Sequence, residues 1–488
     1  MRGTGRLGFT LQADDVIRDI LVPHYYDPRI AARLAELEST HELVSVGSLI
    51  NAGHLELRQG NYIGKIHYGS GAYPYIRTSD LANWELRGSP KHGVSQAVYD
   101  QWAAKQDVRP GDVLLVHEGT YLIGTTAYVT TSDHRFLFQH HLAKLRPLEG
   151  SPLVGGALLA ALLSAPIVQA QIRSKQFTAD IIDSIVGRFL EVVLPIPRDK
   201  KRRASLASRA EAAYEERALR RVALSRLFGR IDEILAVGEW TDDEDEGASS
   251  FGAVLGGWTR ARSFSLTDDA VKGDILLPRY YDPATARALE ALAPTSELVT
   301  VGELVAAGVL SLTTGHEVGK LAYGTGTIPF VRTSDLGNWE LKRDPKQLVS
   351  QAIYDSFSTK QSVKARDILL VRDGTYLVGN SAIVTDADLP MLFSGGMYRI
   401  RVTKPSKLDP FLLLALLNST TVRQQMRDKQ FTRDVIDTLG QRFLEVVLPL
   451  PRSADLAAKL AEVTRTHVQR RSAIRRDLVR LGPELEIA

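Results

Sequence analysis

The stretch "YIRTSDLANWEL", Tyr75–Leu86, returns 255 positions later as "FVRTSDLGNWEL", Phe330–Leu341. Over Tyr75–Gly124 and Phe330–Gly379, 29 of 50 positions are identical, where chance would give only a few. A period of about 250 residues is far too long for a solenoid repeat or a propeller blade. The repeat therefore predicts a tandem pair of similar domains.

The duplication extends over nearly the whole chain. "ILVPHYYDP", Ile20–Pro28, returns as "ILLPRYYDP", Ile275–Pro283, and "KQFT" occurs at Lys175–Thr178 and Lys429–Thr432. Each copy combines short aliphatic runs bounded by glycine, an apolar helix and loops rich in Ser, Thr and Asp. This mixture predicts an α+β fold for each copy.

A long helix-forming segment follows each copy. Residues 199–228 and 452–481 contain neither glycine nor proline, and Leu224, Leu227 and Ile231 follow the spacing of an amphipathic helix. A lone helix of this length is not stable in water without a partner. The two helices are therefore predicted to pair as an antiparallel coiled coil, which gives the molecule a pseudo-twofold axis.

These features predict six segments along the chain. Two domains cover residues 1–198 and 266–451, and long helices follow at 199–237 and 452–482. A linker that is first acidic and then rich in Gly and Ser covers 238–265, and a short tail covers 483–488.

Composition indicates an ordinary soluble globular protein, with 44% hydrophobic and 24% charged residues. The absence of cysteine excludes disulfides and thiolate metal sites. No signal peptide is apparent at the N-terminus. Leu153–Ala170 approaches transmembrane length, but its counterpart carries Asn418 and Arg423, so both stretches are predicted to be buried helices. A cytoplasmic location is expected.

No catalytic, metal or cofactor site is predicted in this chain. "GNYIGK" at Gly60–Lys65 and "GHEVGK" at Gly315–Lys320 are one residue shorter than a phosphate-binding loop and lack the Ser or Thr that follows its lysine. They are interpreted as glycine turns. His140 and His141 have no counterparts in the second copy, which excludes a shared metal site there. A nuclease with a cryptic site remains an open alternative.

The repeated polar loops are predicted to contact DNA, because Arg and Lys bind phosphates while Asn, Gln, Ser and Thr bind bases or backbone. In the first copy the predicted contacts are Arg77, Thr78, Ser79, Asn83, Lys105, Gln106, Thr120, Tyr121 and Lys175. In the second copy they are Arg332, Thr333, Ser334, Asn338, Lys360, Gln361, Arg372, Thr375, Tyr376 and Lys429. Arg372 is predicted to bind guanine through its planar fork. The alternative for each residue is a turn or cap inside the fold.

Positions that differ between the copies are predicted to carry any difference in specificity. They are Asn61, Tyr62, His67, His92, Gln101 and His117 in the first copy, and His316, Glu317, Gln347 and Ser356 in the second.

Two domains with "RTSDL" and "GTYLIG" or "GTYLVG" phrases, each leading into a long helix, resemble the specificity subunit of type I restriction–modification systems. The resemblance implies a non-catalytic phage-defence protein with two target recognition domains that bind the halves of an interrupted DNA site. It implies two methyltransferase subunits as partners, with a motor nuclease subunit added for cleavage. The partners would use S-adenosylmethionine, ATP and Mg²⁺.

The two copies are more alike than is usual in that family. The half-sites are therefore expected to be related and inverted, giving a partly palindromic target. The alternative is a DNA-recognition or scaffold subunit of another phage-defence methyltransferase or nuclease assembly.

Overall fold

The computed structural model describes most of the chain, with gaps. The described ranges are 9–10, 16–17, 20–88, 90–119, 121–133, 135–178, 183–185, 187–240, 263–273, 275–374, 376–433 and 436–487. Two predicted DNA contacts, Thr120 and Thr375, lie outside the described residues, as does most of the predicted linker.

The chain forms two compact units, and each unit takes residues from both halves of the sequence. Unit 1 comprises Met1–Arg220 with Arg471–Ala488, and unit 2 comprises Arg221–Arg470. The first long helix spans Lys200–Val237 and the second spans Ala454–Glu484. Each unit therefore contains one copy of the repeat and a segment of both long helices.

A four-stranded antiparallel sheet lies at the centre of each unit. In unit 1 its strands, in sheet order, are Leu55–Gln59, Leu142–Pro147, Val113–Val116 and Thr126–Tyr128. In unit 2 they are Leu310–Thr314, Met397–Val402, Ile368–Val371 and Ser381–Ile383. The duplication in sequence is thus a duplication in topology.

The strand Val113–Val116 shows why an unbroken apolar run is needed in this sheet. All four of its residues are buried, and alternate side chains join different cores. One core contains the helix Gly156–Leu163, and the other contains Ile76 and Phe138. Successive side chains of a strand point to opposite faces, so a strand between two cores must be apolar throughout. The counterpart Ile368–Val371 divides its side chains between two cores in the same way.

Shorter strands complete each unit. In unit 1, two sheets have two strands each: His41–Ser45 pairs with Val193–Pro197, and Leu81–Ala82 pairs with Glu85–Leu86. Two further sheets have three strands each. Tyr73–Ile76 lies between Leu137–Phe138 and Gly93–Val94, and Asp183–Ser184 lies between Phe177–Thr178 and Glu118–Gly119. In unit 2, the two-stranded sheets pair Ser296–Thr300 with Val447–Pro451 and Leu336–Gly337 with Glu340–Leu341. In the three-stranded sheets, Ile328–Val331 lies between Gln347–Val349 and Leu392–Phe393, and Ile436–Thr438 lies between Asp373–Gly374 and Phe431–Arg433.

Short α-helices pack on these sheets. In unit 1 they are Pro28–Leu37, Val46–Asn51, Gln96–Gln106, Gly156–Leu163 and Pro166–Ser174. In unit 2 they are Pro283–Leu292, Val301–Ala306, Gln351–Gln361, Pro410–Asn418 and Thr420–Asp428. The mixture of helices and sheets confirms the predicted α+β class.

The most apolar segment forms two helices where the sequence predicts one. Gly156–Leu163 is buried along its whole length, and a bend of 65° separates it from Pro166–Ser174. The break follows from Pro166, which lacks an N–H and is favoured at the first position of a helix. Among the described helices, none is by itself long and apolar enough to cross a membrane, although this bent pair meets the length and composition criteria together.

The repeated stretch Tyr75–Leu86 contains a tight hairpin. Leu81–Ala82 pairs with Glu85–Leu86, and the two turn residues Asn83 and Trp84 have φ values of 52° and 63°. Two successive positive φ values match the turn that best suits a two-residue hairpin, but they are costly for tryptophan. The Trp84 indole N–H donates to Ser164 Oγ at 2.8 Å and fixes the turn.

The hairpin delivers Glu85 into a buried cluster with one arginine from each long helix. Glu85 Oε2 lies 2.8 Å from Nη2 of Arg217 and 2.8 Å from Nη2 of Arg471. Each arginine also donates to the backbone carbonyl of the other, at 3.0 and 2.9 Å. The side chains of Arg217, Arg471 and Glu85 are 0%, 1% and 5% exposed. Within unit 1, the two long helices therefore cross at a fixed register.

In each unit, a buried carboxylate accepts hydrogen bonds from the first turn of a short helix. In unit 1, Glu486 Oε1 accepts a hydrogen bond from the Ile167 backbone N–H at 2.6 Å. In unit 2, Asp232 Oδ2 accepts from the Thr421 backbone N–H at 2.7 Å and from its hydroxyl at 2.8 Å. Both carboxylates supply acceptors to helix N–H groups that have no partner within the helix.

Replacing Glu85 with Gln is expected to lower the urea midpoint of unfolding strongly. The change keeps the shape but leaves two buried guanidinium groups without their shared carboxylate, at a cost of about 3–5 kcal/mol. Glu36→Gln is the matched control, because Glu36 is exposed in its ion pair with Arg33 and such pairs contribute about 0–1 kcal/mol. Equal midpoints for the two variants would contradict the role given to Glu85.

Replacing Asp232 with Asn is expected to change how stability depends on pH. Burial raises the pKa of Asp232, so its stabilising contribution is present below the ordinary aspartate pKa and is lost as pH rises through the folded value. Asparagine keeps an acceptor for Thr421 but does not ionise. The unfolding midpoint of Asp232→Asn relative to the original chain should therefore rise as the pH increases above the ordinary aspartate pKa of about 4. A constant offset across this range would be the contrary result, and Asp232→Ala, which lacks the acceptor, serves as the control.

Candidate nucleic-acid interface

The "RTSD" loop in each unit is a turn held together by its own aspartate. Asp80 Oδ2 accepts from the Arg77 backbone N–H at 2.9 Å and lies 3.6 Å from Arg77 Nε. Asp335 accepts from the Arg332 N–H at 2.9 Å in the same way. Both aspartates are buried, whereas Thr78 and Ser79, like their counterparts Thr333 and Ser334, are half-buried at the surface. The aspartates are structural, and the flanking polar residues remain candidates for DNA contact.

Asn83 and Asn338 occupy the first position of the hairpin turn. Asn83 is 8% exposed and Asn338 is half-buried, with φ values of 52° and 51°. Asparagine tolerates this conformation better than most residues. Their repetition is explained by the turn, so the structure assigns them a conformational role in place of the predicted DNA contact.

Gln106 and Gln361 lie inside the fold and not at its surface. Gln106 is 1% exposed and Gln361 0%. Gln106 donates to the Phe138 carbonyl at 2.9 Å and accepts from the Phe138 N–H at 2.9 Å, and Gln361 makes the same pair of bonds with Phe393 at 2.9 and 2.8 Å. Each side chain extends the hydrogen bonding of a neighbouring strand. The predicted DNA contact is therefore replaced by a structural role.

Arg372 is already paired within unit 2. Its guanidinium Nε lies 2.9 Å from Oδ1 of Asp373, its Nη2 lies 2.5 Å from Oδ2, and the group stands 5.5 Å from the centre of the Tyr398 ring. The hydrogen bonds that Arg372 donates to Asp373 raise the pKa of Arg372. The fork predicted to bind guanine is occupied by a carboxylate. Arg372 instead stabilises the loop that carries it.

Lys175 and Lys429 belong to equivalent clusters with a glutamate and a tyrosine. Lys175 Nζ lies 2.9 Å from Glu191 and 4.5 Å from the centre of the Tyr25 ring. In unit 2, Lys429 lies 3.4 Å from Glu445 and 4.5 Å from the Tyr280 ring. Burial lowers the pKa of Lys429, and Glu445 opposes that shift. These contacts favour a scaffold role for both lysines over a phosphate contact.

Four further predicted contacts lie at or near the surface. Lys105 and Lys360 are exposed and extend over Trp102 and Phe357, at 5.0 and 5.9 Å from the ring centres. Tyr376 is 41% exposed, and Tyr121 is half-buried. These side chains remain available for the predicted contacts.

The positions that differ between the copies are mostly accessible. Tyr62, His67, Gln101, Glu317 and Ser356 are exposed, while Asn61, His92, His316 and Gln347 are half-buried. His117 is the exception, at 4% exposure, with Nε2 lying 3.0 Å from the His140 carbonyl oxygen. Burial lowers the pKa of His117. His117 is therefore a structural residue and not a specificity position.

Two arginines of the long helices were not predicted to meet. Arg471 belongs to one of two adjacent arginine pairs in the second long helix, and neither Arg471 nor Arg217 is predicted above to contact the other helix. Their positions are 254 apart, which is the repeat offset in this part of the chain. This offset of 254 positions is the sequence signal that could have predicted the contact between Arg217 and Arg471. In the neighbouring pairs Arg470–Arg471 and Arg475–Arg476, the first and last residues are exposed while Arg471 and Arg475 are buried.

The described residues contain no group of three or more His, Asp or Glu side chains arranged to hold a metal ion. His141 Nδ1 lies 2.6 Å from Glu118 Oε2, and the ring of His140 lies 3.9 Å from that of His141. These two histidines lie in unit 1, and their counterparts in unit 2 are Gly395 and Gly396. The absence of a metal from this chain stays a prediction.

Comparison with known proteins gives similarity at the level of structure. No protein-family model matches the chain, and no curated protein does. The chain is similar to the type I restriction–modification system S subunit from M. genitalium, with 13% identity and a TM-score of 0.34, over 91% of this chain and 94% of that one. It is similar to the HsdS subunit from Thermoanaerobacter tengcongensis, with 14% identity and a TM-score of 0.25, over 89% and 95%.

A third similar chain comes from a structure concerned with complex assembly and conformational transition of the type I R-M system, with 13% identity and a TM-score of 0.26, over 89% and 97%. The resemblance predicted from the sequence is confirmed as a likeness over about nine-tenths of the chain. At TM-scores this low, no residue role is transferred from these structures to this chain.

Replacing Gln106 with Leu is expected to destabilise the protein without acting through DNA. The change removes the acceptor of the buried Phe138 N–H, at a cost of about 1–3 kcal/mol. Gln101→Leu is the matched control, because Gln101 lies on the exposed side of the same helix. Urea unfolding should separate the two variants, and a Gln106→Leu variant as stable as Gln101→Leu would return Gln106 to the candidate contacts.

Proposed function

We propose that this chain is a non-catalytic, sequence-specific DNA-binding subunit, the specificity subunit of a type I restriction–modification complex. One observation carries the proposal: a single buried framework occurs twice, and exposed residues at equivalent positions differ. Tyr62 stands where the second copy has Glu317, and Gln101 stands where it has Ser356. Two modules that share a framework but differ in surface chemistry suit a two-part DNA site.

The predicted segments 1–198 and 266–451 would act as the target recognition domains. The long helices would set the separation of the half-sites as an antiparallel coiled coil. Support comes from the contribution of each helix to both units and from two contacts within unit 1, Arg209 with Glu484 and Arg217 with Arg471, in which the later residue of one helix pairs with the earlier residue of the other. The first helix has 38 residues and is therefore about 57 Å long, which corresponds to a separation of at most roughly 17 base pairs.

The chemistry of such a complex would reside in its partners. Two methyltransferase subunits would methylate adenine with S-adenosylmethionine, and a motor nuclease subunit would use ATP and Mg²⁺ for restriction in the cytoplasm. The close likeness of the two units favours inverted, related half-sites. A methylome of cells that carry the system would test this, and two unrelated half-sites would contradict it.

Binding of the full chain to a duplex selected from a random pool is expected to weaken steeply between about 50 and 200 mM salt, because phosphate contacts release counterions. Lys105→Gln and Lys360→Gln should each weaken binding and reduce the salt slope by about one. Lys459→Gln, an exposed lysine on the second long helix with 43% side-chain exposure, is the control.

Two results would count against the proposal. One is failure of the random pool to yield an enriched sequence. The other is methylation or cleavage of DNA by the purified chain alone, which would favour an enzyme with a cryptic site.

A further inference from the structure

The two most exposed large apolar side chains in the described part of the chain occupy equivalent positions in the repeat. Ile66 is 89% exposed and Leu321 is 97% exposed. Each lies at the centre of a one-turn 3₁₀ helix, Lys65–His67 in unit 1 and Lys320–Ala322 in unit 2. A single exposed aliphatic side chain is common on protein surfaces. Leu21 and Leu276 are also exposed at equivalent positions, at 82% and 83%. Ile66 and Leu321 differ from that pair because a lysine directly precedes each of them.

The loop that carries Ile66 is fixed by close backbone packing at both ends. A Cβ atom on Gly60 would lie 2.3 Å from the Gln139 carbonyl oxygen, and one on Gly71 would lie 2.7 Å from Cα of Ser95. No side chain fits at either position without a shift of the backbone. The loop is therefore held tightly against its neighbours.

The equivalent loop in unit 2 is fixed in the same way. A Cβ atom on Gly315 would lie 2.2 Å from the Ser394 carbonyl oxygen, and one on Gly326 would lie 2.4 Å from the Val349 carbonyl oxygen. The Gly324 N–H donates to the Leu348 carbonyl at 2.7 Å. Both loops are thus built into the fold.

The inner side of the loop in unit 1 is also anchored. Ile63 is 2% exposed and packs in the core with Tyr75, and the Tyr75 hydroxyl donates to the Asn61 carbonyl at 2.8 Å. Three residues after the buried Ile63, the chain turns Ile66 fully outward. Because the backbone of this loop is already held in place, binding of the displayed side chain costs little additional backbone entropy.

The chemistry around the displayed side chain favours a duplex. Lys65 and Lys320 are exposed and directly precede the apolar residue, which places a phosphate-binding cation beside an aliphatic tip. Proteins that unstack DNA insert Leu, Ile, Met or Phe between base steps in this manner. The neighbouring residues differ between the units, His67 against Ala322, while the aliphatic character of the tip is shared.

We propose that Ile66 and Leu321 are apolar wedges, one in each unit, that insert between stacked bases of the bound duplex, with Lys65 and Lys320 on the adjoining phosphates. The proposal rests on the DNA-binding function given above. The wedge adds no base-specific hydrogen bond. It would act by opening a step whose unstacking cost depends on the sequence, which contributes to specificity at bases that are not hydrogen-bonded.

The test uses the full chain, the duplex enriched by the unmodified protein, and the variants Ile66→Ser and Leu321→Ser. Each variant is expected to weaken binding about tenfold with an unchanged salt slope, because no phosphate contact is lost. The matched controls are Leu21→Ser and Leu276→Ser, at positions 82% and 83% exposed that are also related by the repeat. They should bind as the unmodified chain does.

A second readout detects the insertion itself. 2-Aminopurine is placed in turn at each purine of the enriched duplex, and its fluorescence should rise at one step in each half-site when the chain binds. Ile66→Ser should abolish the rise in one half-site and Leu321→Ser in the other. Absence of any rise, or loss of affinity in the Leu21 and Leu276 controls alone, would overturn the wedge. Failure of the unmodified chain to bind any duplex would instead overturn the proposed function, and the wedge with it.

Discussion

The structure depends on a carboxylate shared by two buried guanidinium groups. Glu85 can satisfy Arg217 and Arg471 only when the hairpin and both long helices are present together in one register. Removing such groups from water is costly, so a partly assembled cluster is unfavourable. The cluster therefore fixes the crossing of the helices in unit 1 more by excluding other registers than by adding stability. The hairpin turn that carries Glu85 holds Trp84 at a positive φ, and its counterpart Trp339 has the same conformation in unit 2.

The sequence predicted the architecture better than the site, for a physical reason. The repeat, the α+β class and the long helix Lys200–Val237 follow from periodicity and composition, which depend on many residues together. The role of a single polar side chain depends on which side of a loop faces solvent. Gln106 and Arg372 have the chemistry of DNA-contacting residues, yet one pairs with the Phe138 backbone and the other with Asp373. Ile66 was missed because aliphatic residues are expected inside, and only coordinates show that it faces outward.

The residues of each unit divide into a buried framework and an accessible surface with different tolerance to change. The buried glutamines, the hairpin and the Lys–Glu–Tyr clusters recur in both units with equivalent contacts. The positions that differ between the copies are mostly exposed or half-buried. This separation lets surface chemistry vary in one unit without disturbing the packing that orients it. Two surface chemistries can thus be carried on one fold.

The inclusion of Arg471–Ala488 in unit 1 has a consequence for biosynthesis. Ile474, Leu478 and Leu481 belong to the same core as Leu206 and Tyr214, but the ribosome makes them only after the whole of unit 2, Arg221–Arg470. At about 5–20 residues per second, the nascent chain waits roughly 10–50 s between the two sets. During that interval the apolar face of the first unit lacks the cover that Ile474, Leu478 and Leu481 later supply, and such exposed apolar surface favours aggregation. A translation product that stops short would leave that face open, so quality control can recognise incomplete chains by the unit that was made first.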